Sequence, residues 1–173
     1  LGYLAVFDAP KQRASAAIEK LHRLHVDVRV LTGDNQDVAV SICRRLGIDT
    51  MHTLTGAELE LLTDNEIPVK LEHTTVFSEL SPKQKVQVVR TLRANGHTVG
   101  FLGDGMNDLP AIVESDVGIS VDTAAETVQD VADVVLLTKD LNVLEEGLKG
   151  GRRAFANVST SNRITATSKF GNI

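Results

Sequence analysis

One segment organises the rest of this sequence: Gly103-Asp104-Gly105-Met106-Asn107-Asp108. An apolar run at residues 98–102 precedes it and is typical of a buried strand, and residues 109–113 predict the start of a helix. The segment therefore puts carboxylates and a carboxamide in a turn between strand and helix, where open α/β sheets bind ligands. A helix N-terminus attracts phosphate while carboxylates repel it, so a hard cation such as Mg²⁺ is expected between them. The pattern predicts a site for magnesium and phosphate in which Asp104 and Asp108 bind the metal.

The rest of the chain alternates between strand and helix patterns. Further apolar runs that predict strands lie at residues 3–7, 28–31, 75–77, 117–121 and 134–137. The segments between them are long enough for parallel crossovers. We therefore predict one α/β domain, a doubly wound, Rossmann-like parallel sheet of about six strands.

Local signals mark where several helices begin and end. Capping-box patterns start at Thr55, Thr63, Ser81 and Thr123, and Gly47 is placed to end a helix in a left-handed conformation. The first two patterns predict two short helices within residues 50–72, a peripheral excursion to which we assign no chemistry. A long helical pattern begins near residue 141.

Three polar turns follow predicted strands and should meet at one edge of the sheet, because right-handed crossovers bring carboxyl ends together. They are Asp8-Ala9-Pro10-Lys11, Thr32-Gly33-Asp34 and the segment 103–108. Thr32 offers a hydroxyl and Gly33 leaves backbone N–H groups accessible, so the second turn could hold a phosphoryl oxygen. Lys85, in the first turn of the helix that Ser81 begins, could add a positive charge, and Asn107 could donate hydrogen bonds.

Each of these features also has an ordinary structural explanation. Thr32-Gly33-Asp34 could be a turn in which Asp34 caps the next helix, and Lys85 could be a solvated helix lysine. Asp8 and Pro10 could simply mark a helix start. The order of the motifs, each at its place in a strand–helix pattern, favours a site over these separate explanations.

Composition limits the class of protein. The 173 residues suffice for one domain with a sizeable core, and 18 basic against 23 acidic residues give a net charge of −5, which argues against nucleic-acid binding. The lone Cys43 excludes an intrachain disulfide. No apolar run approaches the roughly 20 residues of a membrane span. The chain begins in an apolar segment without an initiator Met, so we expect a fragment of a longer protein.

With these motifs in order, the sequence resembles the haloacid dehalogenase superfamily and, within it, the phosphorylation domain of P-type cation-transporting ATPases. Thr32-Gly33-Asp34 is similar to the second motif of the superfamily, Lys85 to the third and Gly103–Asp108 to the fourth. Asp8-Ala9-Pro10-Lys11 resembles the Asp-Pro-Pro-Arg/Lys hinge of the ATPases, with Ala9 in place of a proline. The resemblance covers nearly the whole chain.

The resemblance implies a reaction and a role for each residue. In these pumps an aspartate takes the γ-phosphate of ATP, and the aspartyl-phosphate drives an ion across the membrane. Thr32, Gly33 and Asn107 would then bind the phosphoryl group and Lys85 would balance its charge. Asp104 would carry Mg²⁺ and Asp108 would support the loop or the metal. Asp34, Lys11 and Asp8 would lie toward the nucleotide.

The resemblance also implies parts that this chain lacks. In the pumps the nucleophile belongs to an Asp-Lys-Thr-Gly-Thr motif, but no Asp here precedes Lys and no Asp-x-Asp is present. We expect residues 1–150 to form a phosphorylation domain without its nucleophile strand, unable alone to form an aspartyl-phosphate. Residues 151–173 would be a helical stalk leading to a transmembrane helix. Nucleotide-binding, actuator and transmembrane domains of the same polypeptide would be its partners.

The C-terminal sequence suggests the transported ion. Gly151-Arg152-Arg153-Ala154-Phe155-Ala156-Asn157 and the ending Ser168-Lys169-Phe170-Gly171-Asn172 are similar to the magnesium-transporting subgroup, except that Lys169 replaces an asparagine. We therefore expect Mg²⁺ transport by an integral protein of the plasma (inner) membrane, with this segment on the cytoplasmic side. The alternatives are a P-type ATPase for Ca²⁺ or another cation, a soluble phosphatase of the superfamily, or a non-catalytic binding domain.

Overall fold

The computed structural model describes residues 2–5, 12–138 and 140–153, with the backbone alone through residue 13. Its strands are β1 Gly2–Ala5, β2 Val26–Leu31, β3 Thr53–Thr55, β4 Val76–Ser78, β5 Thr98–Leu102, β6 Val117–Val121 and β7 Val134–Leu136. Its helices are α1 Gln12–Arg23, α2 Gln36–Leu46, α3 Gly56–Leu61, α4 Glu66–His73, α5 Pro82–Ala94, α6 Leu109–Glu114 and α7 Glu126–Gln129. Residues 142–153 are also helical and are called α8 here.

The strands of the described residues form one seven-stranded parallel sheet in the order β3-β4-β2-β1-β5-β6-β7. From β1 the chain passes to β2, then to the edge strand β3, and back to β4, which lies between β3 and β2. It then crosses to β5 on the other side of β1 and continues outward to β6 and β7. The predicted doubly wound α/β fold is confirmed. Such a sheet opens a crevice at the carboxyl ends of the strands where the winding reverses, beside β1.

The sheet has one more strand than the six predicted. Strand β3 lies at the edge, where Thr53 pairs with Val76 and Leu54 with Phe77. It belongs to residues 50–72, so this segment is part of the sheet as well as the predicted pair of short helices α3 and α4. A three-residue strand with a single buried apolar side chain, Leu54, is too short to give a periodic signal.

Aliphatic side chains and two phenylalanines fill the cores on the two faces of the sheet. One core, which includes Phe77 and Phe101, lies under α3 to α6 and holds fully buried residues of α4, α5 and α6. The other holds residues of α1 and α2, and Leu141, Leu144 and Leu148 pack against it. Helix α8 therefore packs on the same face as α1 and α2.

The helix boundaries confirm some of the predicted signals and correct others. The capping boxes at Thr55 and Ser81 form, and Gly47 ends α2 with a φ of 74°. The predicted cap at Thr123 is wrong, because α7 starts after Ala125 and has no side-chain cap. Thr63 donates to the Glu66 carboxylate through its N–H and hydroxyl, but α4 starts after Asn65.

Part of the predicted organisation lies outside the described residues. These parts are residues 6–7 of the first predicted strand, Asp8, Lys11, and the predicted stalk from residue 154 onward. The division of the chain at residue 150 stays a prediction. In the part of the chain that the structure describes, no helix has the length and apolar character needed to cross a membrane.

Candidate active site

The two motif loops of the described chain lie on either side of the central strand β1. Ala5 pairs with Arg29 of β2 and with Phe101 of β5. Strand β2 runs directly into Thr32-Gly33-Asp34, and β5 runs into the segment 103–108. The topology therefore brings both predicted loops to one edge of the sheet, at the crevice where the winding reverses.

Lys85 and Asp108 form the central contact of this edge. The Lys85 Nζ donates to Asp108 Oδ1 at 2.6 Å, and the two side chains are 10% and 13% exposed. Lys85 is therefore not the solvated helix lysine of the alternative interpretation. The capping box of Ser81 fixes the start of α5, so Lys85 sits one turn into a well-defined helix. Such a charge-assisted hydrogen bond is short and directional, so it holds the lysine against the second motif loop.

Asp108 is free to face Lys85 because its side chain does not cap its own helix. It is the N-cap of α6 but makes no side-chain cap bond, while its carbonyl accepts from the N–H groups of Ala111 and Ile112 at 2.9 Å. Its N–H donates to the Gly105 carbonyl at 2.9 Å. A Cβ at Gly103 would lie 2.6 Å from the Asp108 Cβ, so the loop needs glycine there.

Thr32 is tied into the sheet while the residues after it are exposed. Its side chain is 2% exposed, and its Oγ1 accepts from the Asp34 N–H at 2.9 Å. The Thr32 N–H donates to the Phe77 carbonyl at 2.9 Å, and the Leu80 N–H donates to the Thr32 carbonyl at 3.0 Å. Gly33 and Asp34 are exposed. The loop is thus fixed at its base and open at its tip, as a phosphate-binding turn requires.

Asp34 does not cap α2, contrary to one interpretation of the sequence. The N-cap is Asn35, whose side chain accepts from the Asp37 N–H at 2.9 Å. The Asp34 carboxylate therefore does not make the cap bond at the start of α2. Its backbone carbonyl instead accepts from the Glu79 N–H at 2.9 Å, which joins this loop to the end of β4.

The carboxylates of the second loop suit a hard cation. Asp104 is partly buried and Asn107 is exposed. Among the described residues no group of three or more His, Cys, Asp or Glu side chains forms a metal centre. Mg²⁺ needs only one or two protein carboxylates, because it keeps several water ligands. The donor set therefore fits Mg²⁺, although one Asp108 oxygen already binds Lys85.

The pairing of Lys85 with Asp108 is the feature that the sequence did not reveal. The two residues are 23 positions apart, and their motifs suggested separate roles, one toward phosphate and the other toward metal. Only the packing of α5 against α6 brings them together.

Comparison with known proteins identifies the class to which this fold and site belong. The model of the haloacid dehalogenase-like hydrolase family matches residues 1–116. The chain belongs to this family.

Within the family the similar proteins are P-type ATPases. The chain is 48% identical over 99% of its length to the "Magnesium-transporting ATPase, P-type 1" of Salmonella typhimurium and 42% identical to that of Escherichia coli K12. It is 31% identical to "Calcium-transporting ATPase 1" of Bacillus cereus. The chain spans about a fifth of the length of these relatives, 19% of the first two and 20% of the third.

A solved structure agrees with this assignment. The catalytic domain of the CPx-ATPase CopB-B, from work on its conformational changes upon nucleotide binding, superposes with a TM-score of 0.63 at 25% identity. The match covers 83% of this chain and 47% of that one. The resemblance to P-type ATPases of the haloacid dehalogenase superfamily is thus confirmed.

Proposed function

We propose that this chain is the phosphorylation domain of an ATP-driven P-type cation pump. The observation that carries the proposal is the buried Lys85–Asp108 pair beside the Thr32 loop, at the point where the winding of the sheet reverses. A buried ion pair is costly to desolvate and contributes little net stability, which favours a functional reason for it.

The chain's own residues would bind and orient the phosphoryl group. The exposed N–H groups near Gly33 and the Thr32 hydroxyl proton would donate to its oxygens from one loop, and the Asn107 carboxamide would donate from the other. Lys85 would supply positive charge where the transferring group becomes more negative, with Asp108 holding its amine in place. Asp34, Lys11 and Asp8 are proposed to lie toward the nucleotide.

Asp104 is proposed as the main carboxylate ligand for Mg²⁺, with Asp108 supporting the metal or the loop. When bound, Mg²⁺ would neutralise charge on the phosphoryl oxygens and lower the repulsion between the two carboxylates. Asp108 would contribute through the oxygen that does not bind Lys85.

The nucleophilic aspartate is proposed to belong to another part of the polypeptide. The sequence offers neither Asp-Lys nor Asp-x-Asp. Nucleotide-binding, actuator and transmembrane domains would complete the pump, with this domain on the cytoplasmic side of the plasma (inner) membrane. The relatives' fivefold greater length supports this proposal.

Mg²⁺ is proposed as the transported ion as well as the cofactor. Relatives named for magnesium transport are 48% and 42% identical to this chain, whereas the one named for calcium transport is 31% identical. The residues that select the ion would lie in the transmembrane part.

The proposal is tested by labelling with γ-labelled ATP and Mg²⁺. The full-length polypeptide should take up an acid-stable, hydroxylamine-sensitive label, whereas the 173-residue chain alone should not. Label on the short chain would refute the placement of the nucleophile, and no label on the full-length protein would refute the pump. Uptake into membrane vesicles would then distinguish Mg²⁺ from Ca²⁺ as the transported ion.

A further inference from the structure

Gly56 lies within residues 50–72, the segment predicted as a peripheral excursion without chemistry. It contacts the residues that flank the Thr32 loop and Lys85, namely Glu79 and Gln84. This buried glycine opens α3. A Cβ at this position would lie 2.4 Å from the Glu79 carbonyl oxygen and 2.9 Å from Gln84 Oε1. The backbone of the excursion therefore approaches the end of β4 and the start of α5 as closely as only glycine permits.

The side chain of Gln84 makes hydrogen bonds both within the start of α5 and to α3. Its carboxamide oxygen accepts from the N–H of Ser81 at 2.8 Å and from its hydroxyl at 2.9 Å. Its carboxamide nitrogen donates to the Gly56 carbonyl at 2.8 Å and to Glu60 Oε1 at 3.2 Å. The residue is only 8% exposed. One end of this side chain thus caps α5, and the other ties α5 to α3.

Gln84 immediately precedes Lys85, so the tie acts on the turn of α5 that carries the lysine. The same glycine packs against Glu79, whose N–H donates to the Asp34 carbonyl at 2.9 Å. Glu79 has a φ of 56°, an uncommon conformation for a residue with a side chain, and it persists where surrounding contacts fix the backbone. Contacts from one short segment therefore reach the turn of Lys85 and the loop of Thr32.

We propose that Gln84 is a positioning residue for the phosphoryl-transfer site, acting through the two bonds that its carboxamide nitrogen makes to α3, at the Gly56 carbonyl and at Glu60 Oε1. It sets where the Lys85 amine lies, while Ser81 and Pro82 set only where α5 begins. The inference rests on the proposed function and deepens it, because Gln84 would position Lys85 for the proposed phosphoryl transfer.

The test is Q84E in the full-length polypeptide. A carboxylate keeps the acceptor that the Ser81 capping box requires, so α5 still begins correctly, but it cannot donate to Gly56 and it faces Glu60. We expect kcat for ATP hydrolysis to fall about 10- to 100-fold, because small misplacements of catalytic groups have effects of this size. The KM for ATP should change by less than about twofold, since the nucleotide's own contacts are untouched.

Two further measurements separate positioning from general damage. Orthovanadate, a phosphate analogue, should inhibit Q84E at a concentration raised by about the same factor as kcat falls, because the proposed role of Lys85 is to balance the charge of this anion. The control Q87E makes the same chemical change at an exposed position of α5 and should leave kcat, KM and vanadate inhibition unchanged. A merely structural loss would lower the amount of active enzyme without moving the vanadate concentration.

The combined variant Q84E, E60Q provides a rescue. The carboxamide and the carboxylate exchange places, so the new carboxamide on α3 can donate to the new carboxylate on α5 and one of the two bonds between these helices returns, while the Gly56 carbonyl still lacks its donor. We therefore expect a partial rescue, in which about half of the lost kcat returns on a logarithmic scale. Wild-type turnover and vanadate sensitivity in Q84E would overturn the positioning role, as would a Q84E defect that the exchange does not relieve. A wild-type full-length protein that forms no phosphoenzyme would overturn the proposed function and this inference with it.

Discussion

Helices α5 and α6 are joined by ion pairs at two places, and the two sets differ in kind. Near the motif loops, Lys85 and Asp108 are 10% and 13% exposed. Further along the same helices, Arg90 binds Glu114 at 2.8 Å with side chains 68% and 24% exposed. Arg93 binds Asp116, in the turn after α6, at 2.9 Å with side chains 39% and 30% exposed. The same two helices thus carry one buried pair and a solvated cluster.

The difference in exposure supports the proposal that the pair near the loops serves the reaction, while the other set serves the structure. An exposed pair loses little hydration and contributes a modest stability, about 0–1 kcal/mol. A buried pair pays for desolvation, and an apolar pair in its place is often as stable or more so. Stability alone therefore accounts for the arginine cluster but not for the buried lysine. This contrast favours a role in the reaction for the end of α5 near the motif loops.

The largest expected effect comes from removing the buried cation. Lys85→Met in the full-length polypeptide should lower phosphoenzyme formation about 10²- to 10³-fold, the usual cost of losing one group that stabilises the transition state. The control is Lys83→Met, an exposed lysine two positions earlier in the same helix, which should stay within about twofold. Rapid-quench labelling with γ-labelled ATP measures both. Equal rates of phosphoenzyme formation in the two variants would show that the buried Lys85 is no more important to the reaction than an exposed lysine of α5.

The next effect distinguishes the two aspartates of the second loop. Asp104→Asn should raise the Mg²⁺ concentration for half-maximal phosphorylation about tenfold or more, since even groups that only support a metal ligand cost 10- to 100-fold in affinity. Asp108→Asn should lower the rate with a smaller shift in the Mg²⁺ requirement, because one of its oxygens binds Lys85. Magnesium titrations of the two variants make the comparison. The reverse order of the two shifts would assign the metal chiefly to Asp108.

The features predicted correctly from the sequence are those with local causes. The turn at residues 103–108 between β5 and α6, the capping box at Ser81 and the left-handed Gly47 each depend on neighbours within a few positions. The doubly wound sheet follows because apolar runs separated by crossovers leave few other arrangements. The Thr123 cap failed although its pattern was local: Ala124 N–H donates to the Val121 carbonyl at 3.0 Å, so this residue closes a turn after β6 and the helix starts later.

The features that were missed depend on contacts between distant residues. Lys85 and Asp108 are 23 positions apart, and Gln84 and Gly56 are 28 apart. Neither pair has a spacing that a sequence pattern can reveal, because each depends on how α5 packs against another helix. A buried glutamine in a capping box looks like any other capping residue in the sequence. The close approach at Gly56 likewise becomes visible only when the Glu79 carbonyl is in place.

The arginine cluster should affect stability and leave the reaction unchanged. Arg93 donates to Asp116 at 2.9 Å and to the Glu114 carbonyl at 2.6 Å, so it joins α5 to the last residue of α6 and to the turn that follows. Arg93→Ala should lower the free energy of unfolding by about 1 kcal/mol, the sum of a modest ion pair and a hydrogen bond. Urea denaturation of this chain measures the change, and phosphoenzyme formation by the full-length variant should match the wild type. A rate lost together with stability would mean that this end also positions Lys85.

The smallest effect concerns how this cluster responds to acid. The hydrogen bond from Arg90 lowers the pKa of Glu114 below its ordinary value of 4.5, with further lowering from the charges of Arg90 and Arg93 and some opposition from burial. A carboxyl whose pKa is lower when folded stabilises the fold above its unfolded pKa, and this contribution is lost as the pH falls through the folded pKa. Glu114→Gln should therefore reduce stability near neutral pH, and its difference from the wild type should shrink as the pH falls below 4.5 and through the lowered pKa of the folded state. Urea midpoints measured from about pH 7 to pH 3 test this, with Glu146→Gln, an exposed carboxylate of α8, as the control for lost charge.

Salt should weaken the difference as well, because solvated charges are screened over about 10 Å at 0.1 M. If Glu114→Gln remained less stable than the wild type in acid and at high salt, packing of the Glu114 side chain would be stabilising this end of α6, and its charge would not. The distinction between the two sets of ion pairs would then depend on the burial of Lys85 and Asp108 alone.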